Sequence, residues 1–177
     1  METIRKLGLL ALASRLKRLS DRLMQDVGQV YRREELGFEP RWFLVFYQLA
    51  EGAPLSITAL AGAVGITHPA VNQAADEMEQ AGLVASSRDA KDKRRRHLAL
   101  TPRGREVAAA LRPIWADIES ATRDVAESTG VDLLRAIDAI EAALDAQAMS
   151  ARVEERLGRR REILARTTRR KSIQKTS

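Results

Sequence analysis

The residues with the plainest chemistry lie between Ser56 and Thr101. Eight residues of Arg88–Arg105 are Lys or Arg and two are acidic, which makes Arg88-Asp89-Ala90-Lys91-Asp92-Lys93-Arg94-Arg95-Arg96 a segment suited to a phosphate backbone. Ahead of it stand Thr67, His68, Pro69, Asn72 and Gln73. At helical spacing His68 and Asn72 share one row and Pro69 and Gln73 a parallel one. Asn and Gln amides can each pair bidentately with adenine N6 and N7, worth roughly 1–3 kcal/mol of discrimination per contact. His68 can donate to guanine or to a phosphate, and Thr67 can cap a helix while bonding a phosphate. Alone, a polar i, i+4 pair reads as a solvated helix face. The basic segment and the capped helices beside it turn the reading toward nucleic acid.

Other chemistry finds little support. Cysteine is absent, which removes thiolate catalysis, disulfides and thiol redox sensing. His68 and His97 are the two histidines, with no carboxylate at helical ligand spacing, so neither a metal nor another cofactor is expected. There is no Gly-x-Ser-x-Gly elbow and no glycine-rich phosphate loop, and the chain is not expected to be an enzyme. Phe38, Trp42, Phe46 and Tyr47 form an aromatic cluster that reads as helix core. Within it Trp42, Phe46 and Tyr47 are the candidates to line a small-ligand pocket, since the Trp and Tyr each offer a polar edge.

The elements that must position these groups follow from apolar spacing and punctuation. Apolar residues at 12, 16, 19, 23, 27 and 30 put one stripe on a long first helix, expected over 3–36. Pro40 opens a second helix to about residue 51, and Gly52 and Pro54 break it. Ser56 caps a third to Val64, with Leu60, Ala61 and Val64 inward, and Gly65 closes it. Thr67 caps a fourth to Ala81, with Val71, Ala75 and Met78 inward and Gly82 ending it. Leu83-Val84 and His97–Leu100 read as the strands of a β-hairpin. Thr101-Pro102 starts a fifth helix, kinked at Pro113, and a sixth runs from about Val131 past Met149. The fold class is therefore mainly α with a small β-hairpin wing.

Charge is segregated along the chain. Residues 150–177 hold ten Lys/Arg against three Glu, whereas Glu106–Asp145 holds three basic and nine acidic residues. Thr167–Ser177 lacks periodicity and reads as a disordered basic tail: a solvated end, an extra DNA arm or a frameshift remnant. No run of about 18 apolar residues is present and residues 1–13 lack a signal-peptide layout, so a cytoplasmic chain with no membrane partner is expected.

Leu60-Ala61, Gly65-Ile66-Thr67, Val71, Met78-Glu79, Gly82-Leu83-Val84, Asp89-x-Lys91-Asp92-x-Arg94 and Leu98-x-Leu100-Thr101-x-x-Gly104 resemble the pattern of MarR-type transcriptional regulators over about residues 5–150. Phe38-Glu39-Pro40-Arg41-Trp42 and Leu111-Arg112-Pro113-Ile114-Trp115 look most like the regulator half of MarR–GNAT acetyltransferase fusions, without the acetyltransferase domain. The resemblance implies one MarR-like domain over 1–166. Its winged helix-turn-helix would span 40–101, between dimerisation helices 3–36 and 102–161. It further implies a homodimeric repressor on double-stranded DNA, with a pseudo-palindromic operator and release by a small aromatic or anionic effector. Arg94 would enter a minor groove braced by Asp92, and Lys91 stands where the family usually has arginine, keeping charge but losing the bidentate fork. Arg88, Lys93, Arg95 and Arg96 would add phosphate contacts. The alternative is a sequence-independent DNA-coating protein driven by the basic wing and tail.

Overall fold

Caps and glycines set the local structure where the sequence placed them. The computed structural model describes residues 2–88 and 96–174, with side chains described for 2–87 and 96–163. The elements run α1 (Glu2–Lys6), a 3-10 turn (Gly8–Ala11), α2 (Leu12–Arg33), a 3-10 turn (Pro40–Trp42), α3 (Phe43–Glu51), β1 (Leu55–Ser56), α4 (Ile57–Val64) and α5 (His68–Gln80). They continue as β2 (Val84–Arg88), β3 (Arg96–Leu100), α6 (Pro102–Glu127), α7 (Leu133–Ala146) and α8 (Met149–Gln174). By its contacts the chain divides into two units, 1–119 and 120–177.

In the first unit the core joins α2 to α6. Tyr31, Phe38, Trp42, Val45, Phe46, Leu60, Val71, Met78, Leu83, Leu98 and Leu111 form one buried cluster. Phe38 sits at its centre, edge-on to Tyr31, Trp42 and Phe46 with centroids 5.2, 5.8 and 5.0 Å away. The Trp115 indole donates to the Tyr31 hydroxyl at 3.2 Å, and burial raises the Tyr31 pKa despite that bond. β3 is the middle strand of a three-stranded antiparallel sheet in the order β1-β3-β2. Its register sets Leu98 against Leu55 on one side and Ser86 on the other.

Gly104 is fixed by geometry rather than by a turn. A Cβ there would lie 2.0 Å from the Leu83 carbonyl oxygen. That carbonyl accepts from the Thr101 amide at 3.0 Å. The Thr101 hydroxyl donates to the Gly82 carbonyl at 2.7 Å and accepts from the Gly104 amide at 2.9 Å, capping α6 while it ties α6 to the end of α5. This interlock is the physical content of Leu-Thr-x-x-Gly.

Several expectations need correction. The first helix is not continuous, because Gly8 at φ 55° interrupts it, and it ends at Arg33, followed by Glu35 at φ 52° and Gly37 at φ 58°. α6 matches the expected fifth helix and carries Pro113 in its interior. The expected sixth helix is two, α7 and α8. The Arg152 guanidinium donates to the carbonyls of Ala143 at 2.5 Å and Gln147 at 2.9 Å, satisfying the open end of α7. The stretch 167–174, expected to be disordered, is the continuation of α8. No Gly or Pro follows Gly158, so nothing in the backbone stops that helix. No helix among the described residues is long and apolar enough to cross a membrane.

Candidate nucleic-acid interface

The helix-turn-helix is α4 and α5 joined through Gly65, which takes a left-handed φ of 70° that only glycine adopts without strain. The Ser56 hydroxyl accepts from the Ala59 amide at 3.1 Å and that of Thr67 from the Ala70 amide at 3.4 Å. Pro69 occupies the first turn of α5, where a missing amide costs no helical bond. Val71, Ala74, Ala75 and Met78 are buried. Thr67, His68, Pro69, Asn72 and Gln73 are all exposed and share the opposite side. The structure thus brings these five candidates together on one bare face.

The wing candidates fare differently. β2 and β3 pair from Val84–Leu100 out to Arg88–Arg96. Lys91, Asp92, Lys93, Arg94 and Arg95 lie outside the described residues, as does the Arg88 side chain. Arg96 is turned toward α5, where its two terminal nitrogens reach Asp76 at 2.6 Å and Glu79 at 2.5 Å. Burial works against its charge, but the two carboxylates outweigh that and raise its pKa. Glu79 also accepts from the Ser86 hydroxyl at 2.6 Å and the Ser86 amide at 2.9 Å. These bonds, the Ser86 hydroxyl first, hold its carboxyl below the ordinary value. Both wing strands are therefore fastened to α5.

A second carboxylate anchor lies two residues earlier. Glu77 Oε2 accepts from the Trp42 indole N–H at 2.6 Å and from Arg41 Nε at 2.7 Å, and Oε1 accepts from the Gln73 amide at 3.2 Å. The Trp42 bond, then that of Arg41, depresses the Glu77 pKa. Asp76, Glu77 and Glu79 are an acidic set that the sequence reading did not single out on α5, and Arg41 and Arg96 neutralise them locally. Sequence reasoning missed this set. The i, i+4 spacing of Gln73 and Glu77 was its one visible sign.

The aromatic candidates differ in exposure. Trp42 and Phe46 are 6% and 0% exposed, and the Trp42 N–H is committed to Glu77. Tyr47 alone reaches the surface, its ring tilted on Phe43 and edge-on to Trp115 at 5.6 and 5.4 Å.

Residues 36–95 match the sequence model of the MarR family. No protein of curated function matches the chain by sequence. Among solved structures, CouR, a transcriptional repressor bound to a 23-mer DNA duplex, is 26% identical with a TM-score of 0.58, over 78% of this chain and 96% of that one. MepR of S. aureus in complex with DNA is 18% identical with a TM-score of 0.57, over 78% and 96%. NadR in complex with 4-hydroxyphenylacetate is 22% identical with a TM-score of 0.50, over 73% and 88%. The fold is that of a MarR-type winged helix-turn-helix, and the proteins it resembles are transcriptional regulators rather than enzymes.

Proposed function

We propose that this MarR-type winged helix is a sequence-specific regulator of transcription, in the sense of repression, that grips double-stranded DNA as a homodimer in the cytoplasm. The observation that carries the reading is α5: a capped helix with Val71, Ala74, Ala75 and Met78 buried and Thr67, His68, Asn72 and Gln73 bare on the other side, beside a paired β-wing. A helix so divided fits a major groove, its N-terminal residues toward base edges. Thr67 and the α5 N-terminus face a phosphate, while Asn72 and Gln73 read adenine edges. The resemblance to MarR-type regulators assigns Arg94 and Asp92 to the neighbouring minor groove, and Arg88, Lys91, Lys93 and Arg95 to phosphate contacts. Arg96 serves differently, holding the wing against α5.

Dimerisation is supported by the apolar row Leu12, Leu16, Leu19 and Leu23 on α2, each between 38% and 50% exposed in the single chain. A two-fold dimer sets its half-sites about one helical turn, roughly 34 Å, apart. The DNA duplexes bound by CouR and MepR favour a DNA ligand here, and the 4-hydroxyphenylacetate bound by NadR favours a small aromatic anion as effector. Tyr47 and Trp115 offer the ring surface for it.

Selection of bound duplexes from a random pool at about 150 mM salt, where non-specific binding is suppressed, tests the reading. Enrichment of one inverted repeat is expected. Good DNA retention without enrichment would replace it with a sequence-independent coating protein and move attention to the basic α8.

A further inference from the structure

The three bonds at Glu77 do more than neutralise a carboxylate. An ionised carboxylate accepts hydrogen bonds and donates none. Gln73 must therefore turn its NH2, not its carbonyl, toward Glu77 Oε1, 3.2 Å away. The planar amide then keeps its carbonyl oxygen and one N–H for outside partners. One acceptor beside one donor is the edge that pairs with adenine N6 and N7. Glu77 is itself immobilised: Trp42 and Arg41 both donate to its other oxygen. The Arg41 guanidinium also lies over the Trp42 ring, 5.8 Å from its centroid. Trp42 is 6% exposed and wedged edge-on to Phe38, so this end of the chain of contacts does not move freely.

We infer that Glu77 is a positioning residue for base recognition: held by Trp42 and Arg41, it fixes the amide edge of Gln73 and so sets the preference for adenine. The inference rests on the reading above, in which Gln73 faces DNA bases. An untethered glutamine samples several rotamers and both amide orientations and loses that freedom on binding. The tether removes that loss beforehand and forbids the flipped edge. The low Glu77 pKa keeps the acceptor ionised across neutral pH. Trp42 thereby connects the aromatic core to the reading face.

The test is a double-mutant cycle on affinity for the selected operator, against a duplex changed at the base pair whose preference Gln73→Ala abolishes. Glu77→Gln keeps the shape, but its own NH2 can face Gln73 and reverse the amide. It is expected to lower operator affinity about fivefold to a hundredfold, the range of one bidentate base contact. The loss should vanish on the changed duplex and in the Gln73→Ala background. Trp42→Phe keeps an aromatic ring, removes the indole donor and should lower operator affinity in the same duplex-dependent way, by less. Thermal midpoints confirm that each variant is folded. A Glu77→Gln loss that persists in the Gln73→Ala background, or no loss in either variant, overturns the inference while leaving the regulator reading intact. A Gln73→Ala variant that keeps its base preference also overturns the inference alone, whereas a wild-type protein without base preference overturns both.

Discussion

The two units of the chain place their apolar residues in opposite ways. In 1–119, Leu60, Val71, Met78, Leu83, Leu98 and Leu111 are all at or below 1% exposure, closed against one another beneath the reading helix. In 120–177, no described residue is buried, and Leu134, Ile137, Ile140, Leu144, Val153 and Leu157 are between 39% and 74% exposed. The α2 row at Leu12–Leu23 follows the second pattern although it belongs to the first unit. A side chain that meets other side chains of its own chain specifies a shape. A row of leucines left half-exposed gains stability from a partner surface. The 60–111 core therefore closes on its own residues, whereas the half-exposed rows are where the proposed homodimer would bury apolar surface.

The sharpest way to break that contrast is at its tightest contact. Gly104→Ala would press a Cβ against the Leu83 carbonyl, which the backbone must move to relieve. We expect a loss of roughly 3 kcal/mol or more, at the upper end of overpacking costs. Chemical denaturation measures it, and a near-neutral result would mean the wing base is looser than its geometry. Next comes Leu19→Lys on the α2 row, which should leave the lobe folded but shift the protein toward single chains. Burying that leucine against a second copy is worth about 2 kcal/mol per side. Sedimentation should show the change, and the wild-type thermal midpoint should rise with protein concentration. A wild-type midpoint independent of concentration would sink the homodimer and with it this account of the exposed rows.

Acid distinguishes the lobe by its carboxylates. Glu77 and Glu79 have folded pKa values below their ordinary 4.5. A depressed value means that their stabilisation is present above pH 4.5 and is lost as pH falls through the folded values. Stability measured from about pH 6 to about pH 3 should therefore fall at the acid end, and less steeply in Glu77→Gln/Glu79→Gln, whose side chains no longer titrate. An identical slope in that variant would show that the two carboxylates contribute nothing to acid sensitivity.

What the sequence disclosed divides along similar lines. Caps at Ser56, Thr67 and Thr101 were legible because a short hydroxyl side chain, a helix start and a closing glycine are all local signals. The buried face of α5 was legible from its period. β1 was not, since two residues cannot display alternation and its pairing with His97 and Leu98 is long-range. The gap between α7 and α8 was hidden because neither Gly nor Pro marks Gln147, where the backbone turns extended. The tethers at Glu77 and Glu79 were hidden because their partners are distant in sequence. Arg41 and Trp42 lie more than thirty positions away from Glu77, and Arg96 had every sequence mark of a free phosphate contact.

The smallest expected effect is a substitution that should behave oppositely in the two regions. Gly158 lies within α8, with open space where a Cβ would go and no left-handed φ. Nothing opposes a side chain there, and alanine restricts the unfolded chain more than glycine does. Gly158→Ala should therefore stabilise α8 by about 0.5–1 kcal/mol, the helix-interior difference between the two residues. The same exchange at Gly104 is expected to be severely destabilising, so the two variants form one experiment on what surrounds a glycine. Helical content by circular dichroism and the thermal midpoint should both rise for Gly158→Ala. A fall instead would mean that a surface absent from the single chain comes close to α8 at that glycine. Concentration-dependent destabilisation of Gly158→Ala would identify that surface as a second copy.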